Sequence, residues 1–132
     1  MSELFTLQYE WPRPLRLVSL NERMHWAKEQ QHKSAWLDAG FWLGSEVKAD
    51  CRRKHIRTPL PYCSIQIDCD VHEVRRRDGH NMAKCAKWLI DGLVLAKVFT
   101  DDSTEYLELK DWTFNVKKTP PLYMRITITE DF

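Results

Sequence analysis

Glycine is scarce in this sequence, with four in 132 residues, and nothing in the composition resembles a low-complexity or disordered chain. No two of the four cysteines (Cys51, Cys63, Cys69, Cys85) stand in a C-x-x-C pair, which argues against a structural zinc site. No apolar run approaches the ~20 residues of a membrane span. The start, Met1-Ser-Glu-Leu-Phe-Thr6, has neither a basic region nor an apolar stretch, so no secretory leader is expected. Reduced thiols in a cytoplasmic compartment are the plain reading. Net charge is also nearly absent, at +1.

What is present is apolar bulk and segregated charge. Hydrophobic residues make up 43%, with six Trp, five Phe and four Tyr, enough for one domain spanning residues 1–132 to bury a core without staples. Residues 52–57 (Arg-Arg-Lys-His-Ile-Arg), Arg75 to Arg77 and Lys117-Lys118 are basic. Residues 101–111 carry five acids, Asp101, Asp102, Glu105, Glu108 and Asp111, against one Lys. A near-neutral total therefore hides separate basic and acidic surfaces. Taken singly, each run also reads as a solvated face.

The order of elements follows from periodicity. Residues 4–9 alternate and predict a strand, stopped by Trp11-Pro-Arg-Pro14. Ser19 or Asn21, with Glu22 three after Ser19, marks the cap of a helix over roughly 22–50. Trp26, Ala35, Trp36, Ala39, Leu43 and Val47 supply its apolar stripe, Trp36 and Trp42 are expected in the core, and Gly40 and Gly44 are expected to weaken or bend it. Residues 52–62 read as a basic, proline-containing loop. Ser64 to Val74 is the clearest strand, with Asp68 and Asp70 on its solvated face. A second helix spans 80–97, capped by Asp78 or Asn81, with Met82, Ala86, Leu89, Ile90, Leu93 and Val94 inward. Strands near 105–116 and 122–129 finish the chain. The order β-α-β-α-β-β predicts an α+β fold, two main helices packed on one mixed sheet.

Residues 75–102 carry the chemistry. Arg75, Arg76 and Arg77 can meet phosphate, and the adjacent Asp78 is a carboxylate suited to a hard divalent cation. Lys84, Lys87 and Asp91 share one face of the second helix, and Asp101-Asp102 follow it. Carboxylate-bound Mg²⁺ or Mn²⁺ polarises phosphoryl oxygens and activates water, the needs of phosphodiester hydrolysis. An 18-residue helix is ~27 Å long, so the acidic points meet only if the strand after Asp102 runs back beside strand 64–74. Singly, the bland readings prevail: Asp78 as a helix cap, Asp101-Asp102 as a turn, the lysines as a solvated face. The linked set points to metal-assisted cleavage of a nucleic acid backbone.

That set resembles the RusA-like endodeoxyribonucleases, which resolve four-way (Holliday) DNA junctions. Their motif runs Arg-Asp, a second carboxylate and Asn, a helical Lys, Asp-(Ala/Gly)-Leu, then Asp-Asp opening a strand. Here it reads Arg77-Asp78-Gly79-His80-Asn81, Lys87, Asp91-Gly92-Leu93 and Asp101-Asp102. Residues 19–26 also resemble the N-terminal segment of phage members, so the likeness covers about residues 5–129. It implies Asp78 and Asp102 as metal ligands for Mg²⁺ (or Mn²⁺), with Asp101 a further ligand or a neighbouring carboxylate. Lys87 becomes the functional lysine, with Lys84 second choice, and Asn21 and Arg23 lie near the DNA. It also implies a homodimer, whose two-fold symmetry suits paired nicks. Two departures stand out. His80 replaces a carboxylate, and imidazole is a poor ligand for Mg²⁺; it can act instead as a base, a phosphate donor or a plain loop residue. Lys87 follows Asp78 by nine residues, where the family spacing is six. Three rival readings remain: a junction binder that no longer cuts, a small phosphoesterase of flap or linear DNA, and an interaction domain without chemistry.

Overall fold

A computed structural model describes residues 6–12, 15–18, 23–72, 82–101 and 106–130. The order is β1 (Thr6–Pro12), α1 (Trp26–Arg53), β2 (Cys63–Val71), α2 (Ala83–Leu95), β3 (Leu107–Leu109), β4 (Thr113–Val116) and β5 (Tyr123–Glu130). These form a mixed five-stranded sheet in the order β1-β5-β2-β3, with β4 beside β3 along the same side of β2. Strands β1 and β2 flank β5 antiparallel, whereas β3 and β4 run parallel to β2. The α+β architecture and its order agree with the sequence pattern. No helix among the described residues is long and apolar enough to cross a membrane.

Both helices cover one face of the sheet. Register aligns Leu7, Ile128 and Ile65, and beside them Tyr9, Ile126 and Ile67, on that face. The Tyr9 hydroxyl donates to Asp50 of α1 at 2.8 Å, and Leu107 and Leu109 of β3 face Ala83 and Ile90 of α2. Strand β1 continues through Trp11–Pro12, where proline had been expected to end it. Among the described residues it pairs only with β5, and on an edge a residue without an N–H is tolerated.

The strand expected over 105–116 is split by a bulge. Ile65 pairs with Leu109 and Asp68 with Thr113, so β2 advances by three residues where its partner advances by four. Lys110 N donates to Ile65 O at 2.9 Å, and Gln66 Nε2 donates to Asp111 O at 2.6 Å. The extra residue turns Trp112 inward, edge-on to Trp36 at 6.3 Å and stacked on Phe114 at 6.0 Å. Its buried Nε1 has no partner among the described residues.

Helix α1 departs most from expectation. It begins at Trp26, capped by His25, whose Nδ1 accepts from Ala27 N at 3.2 Å, and it runs on to Arg53 through the start of the expected loop. Its buried stripe is Trp36, Gly40, Leu43, Gly44, Val47 and Cys51. Trp26 and Trp42 are each 71% exposed, and Ala35 is exposed too, because they lie off that stripe. Gly40 and Gly44 are where α2 crosses α1. A Cβ on Gly40 would meet the Leu89 carbonyl oxygen and, at 3.1 Å, the Gly92 Cα; one on Gly44 would meet Ala96 Cβ.

The open face of the sheet is polar, and Asp70 on it is not solvated as expected. It is 5% exposed, accepts from Tyr123 N at 3.0 Å and pairs with Arg125 at 3.1 Å, while Arg125 also reaches Glu10 at 3.4 Å. Burial pushes the Asp70 carboxyl up, but the Tyr123 N–H and the Arg125 guanidinium outweigh it and hold it below the usual carboxylate range. A folded-state value below the unfolded one stabilises the protein above the unfolded pKa of ~3.9, and that stability is lost as pH falls through the folded value. Asp70→Asn should therefore cost about 2 kcal/mol at neutral pH, Glu10 still neutralising Arg125 in part. Denaturant melts from pH 7 downward should show the gap to the parent closing below pH ~4.

Candidate functional site

Three segments remote in sequence converge on the first turns of α2. Residues 15–18 form a strap: Val18 N donates to Cys85 Sγ at 3.2 Å, the Cys85 thiol donates back to Val18 O at 3.5 Å, and Trp36 Nε1 donates to Arg16 O at 2.8 Å. The start of α1 joins through Glu29, which pairs with Lys84 at 2.7 Å. The third segment is β3. All four cysteines are buried free thiols, with Cys63 pushed up by burial to about 12, so Cys85 serves as a packing and hydrogen-bonding residue.

The Lys84-Lys87-Asp91 face divides into two roles. Lys84 is half-buried and tied to Glu29, so its charge is already matched across the helix pair. Lys87 is 61% exposed and forms an i,i+4 pair with Asp91 at 3.2 Å. The next two residues explain the Asp-Gly-Leu segment: a Cβ on Gly92 would meet the Leu37 carbonyl oxygen and Phe41 N (2.7 Å), and Leu93 is fully buried. Gly92 is therefore required by the crossing with α1, and that crossing orients Asp91 and Lys87. The helix starts after Met82, whose side chain makes no cap hydrogen bond; the expected caps, Asp78 and Asn81, lie outside the described residues.

Lys87 borders a groove of about 430 Å³ lined also by Tyr62, Ala83, Ile90, Leu107, Glu108 and Leu109. The strand following Asp101-Asp102 does lie beside β2, with Leu107 opposite Cys63. Chain direction separates the far end of β2, at Val71, from the start of β3. Ala83, at the start of α2, lines the same groove as Leu107 and Leu109. Asp78 precedes Ala83 by five residues, and Asp102 precedes Leu107 by five.

Asn21, Arg75, Arg76, Arg77, Asp78, His80, Asn81 and Asp102 themselves lie outside the described residues. Arg23 is exposed two residues before the His25 cap, and Asp101 is exposed three residues beyond Val98. Among the described residues no group of three His, Cys, Asp or Glu side chains is placed to hold a metal. The carboxylates assigned by sequence are nevertheless the hard oxygen donors that Mg²⁺ takes. Sequence reading missed Glu29, the counter-charge of Lys84, and Tyr62 at the groove. Nothing local marks either, because each meets α2 only through the tertiary fold. Neither a family model nor a curated protein matches this sequence.

Proposed function

We propose that this protein is a divalent-metal-dependent endodeoxyribonuclease of the RusA-like kind, resolving four-way DNA junctions by paired nicks. The observation that carries the reading is the place of Lys87. It is exposed on α2 and borders the groove against β3, the strand that Asp101-Asp102 precede, at the turns of α2 where the strap before Asn21 also packs. In this reading Asp78 and Asp102 hold the cation, with Asp101 beside them. A bound Mg²⁺ supplies charge neutralisation at the phosphoryl oxygens and an acidified water. Lys87 neutralises the phosphate that is cut. Arg75, Arg76 and Arg77, with Asn81, Asn21 and Arg23, hold the backbone, so recognition rests on phosphate contacts and branch shape more than on base reading. A homodimer presents two such sites to the two strands.

The decisive assay compares a synthetic four-way junction with a linear duplex of the same sequence, in Mg²⁺ or Mn²⁺, for the parent and Asp102→Asn. Paired, metal-dependent nicks near the crossover, reduced at least about 10²-fold in the variant, are expected. Equal cutting of the linear duplex would make the protein a general phosphoesterase. One sequence observation favours a second reading: His80 stands where the family carries a carboxylate. Tight junction binding without cutting in either metal would identify a junction-binding protein that has lost catalysis.

A further inference from the structure

The two helices run parallel, and this gathers a second basic surface. Glu29 meets Lys84 near their starts, Gly40 meets Leu89 and Gly92 midway, and Gly44 meets Ala96 near the end of α2. Both C-termini therefore stand at one end of the molecule, about 20 Å along α2 from its first turn, since its 13 residues rise 1.5 Å each. The chain leaving α1 stays there: Leu60 N donates to Val98 O at 2.7 Å. Arg52 and Arg53 lie in the last turn of α1, about 12 Å along it beyond Gly44, with Lys54, His55 and Arg57 following; Lys97 follows the end of α2, and all six are exposed. Within residues 50–60 and 96–98 the only carboxylate is Asp50, which is held by Arg53 and by the Tyr9 hydroxyl at 2.8 Å.

Helix ends favour cations, and the helix dipole accounts for Arg52 and Arg53 in the last turn of α1. It does not account for His55 and Lys97. Each is the first residue past a helix C-cap, with φ of 58° and 66°, the left-handed conformation in which glycine is the usual residue. They are the non-glycine residues with positive φ among those described, and both place a nitrogen base at the same end. Glycine would relieve the backbone there, so each of these side chains is carried at a conformational cost.

We infer that this end of the helix pair is a second DNA-binding surface, which grips the phosphate backbone of a duplex arm leaving the junction. The arm assignment rests on the branched-DNA reading above, while attraction of a polyanion rests on the surface itself. A separation of about 20 Å corresponds to about six base-pair steps at 3.4 Å, so an arm of ordinary length spans both places.

The test uses the full chain without metal and a linear duplex of about 20 base pairs, with affinity measured over a range of salt. Arg52→Gln/Arg57→Gln/Lys97→Gln should weaken binding at least about tenfold and lower the slope of log affinity against log salt by about 2–3, near 0.9 per lost phosphate contact. Lys97→Gly should raise the melting temperature and yet weaken duplex binding, a pairing that a purely structural role would not produce. Parent and triple variant with the same affinity and slope would overturn the surface, as would a parent that does not bind the duplex. If the parent cuts junctions while the triple variant binds duplex unchanged, the surface fails and the nuclease stands. Salt-sensitive duplex binding that the triple variant loses, with no cutting in either metal, keeps the surface and removes the nuclease.

Discussion

Lys87→Met protein should still bind a four-way junction but cleave it about 10²–10³-fold more slowly, the usual loss when one preorganised cationic or hydrogen-bonding group is removed from a transition state. Its folding should scarcely change. The Lys87–Asp91 pair is exposed at 61% and 36% and has the weaker Lys-before-Asp order, so it contributes no more than about 0.5 kcal/mol. Lys84→Met should behave the other way. Its 2.7 Å pair with Glu29 joins α2 to α1 with both side chains about one-third exposed or less, so losing it should cost about 1 kcal/mol and little rate. Single-turnover cleavage and thermal melts of the two variants separate these outcomes. A rate loss confined to Lys84→Met would reverse the assignment and restore the six-residue spacing from Asp78.

Gly92→Ala should be among the most destabilising single changes in the molecule. In an exposed helix the exchange gains about 1 kcal/mol of helix propensity. Here the new methyl meets backbone: the Leu37 carbonyl oxygen, Phe41 N at 2.7 Å and Gly40 C at 2.8 Å. Backbone atoms inside a helix cannot swing aside as a side chain can, so the helices must part. A loss of about 3 kcal/mol is expected, at the upper end of overpacking, with a fall in melting temperature of about 10 °C. Parting the helices also shifts Asp91 and Lys87, which ride on the same turns, so cleavage should fall with stability. A melting temperature that rises in the alanine variant would mean that the crossing is not as close as described.

Much of the fold was legible in local pattern. The period-two run in β2 and the apolar stripe of α2 appear where the sequence places them, because one buried face is enough to impose either period. Met82, Ala86, Leu89, Ile90 and Leu93 are all buried as expected. Trp36 and Trp42 show the limit of this reasoning. Both are large and apolar on one helix, yet the first is fully buried and the second 71% exposed. Composition says how apolar a residue is, whereas its angle around the helix relative to α2 and the sheet decides whether anything covers it.

The candidate site divides the same way. The types and spacing of Asp78, Lys87, Asp91 and Asp101-Asp102 are properties of the sequence, and they alone suggested phosphodiester chemistry. Tertiary structure decided that Lys84 is matched by Glu29, 55 residues away. It also decided that Asp70 neutralises Arg125 across the sheet, and that Gly40 and Gly44 let two helices touch. Sequence determines the periodicity and chemistry of each segment because those depend on near neighbours along the chain. Which charges are matched and which faces are covered depends on contacts between segments, and those exist only once register and crossing have formed.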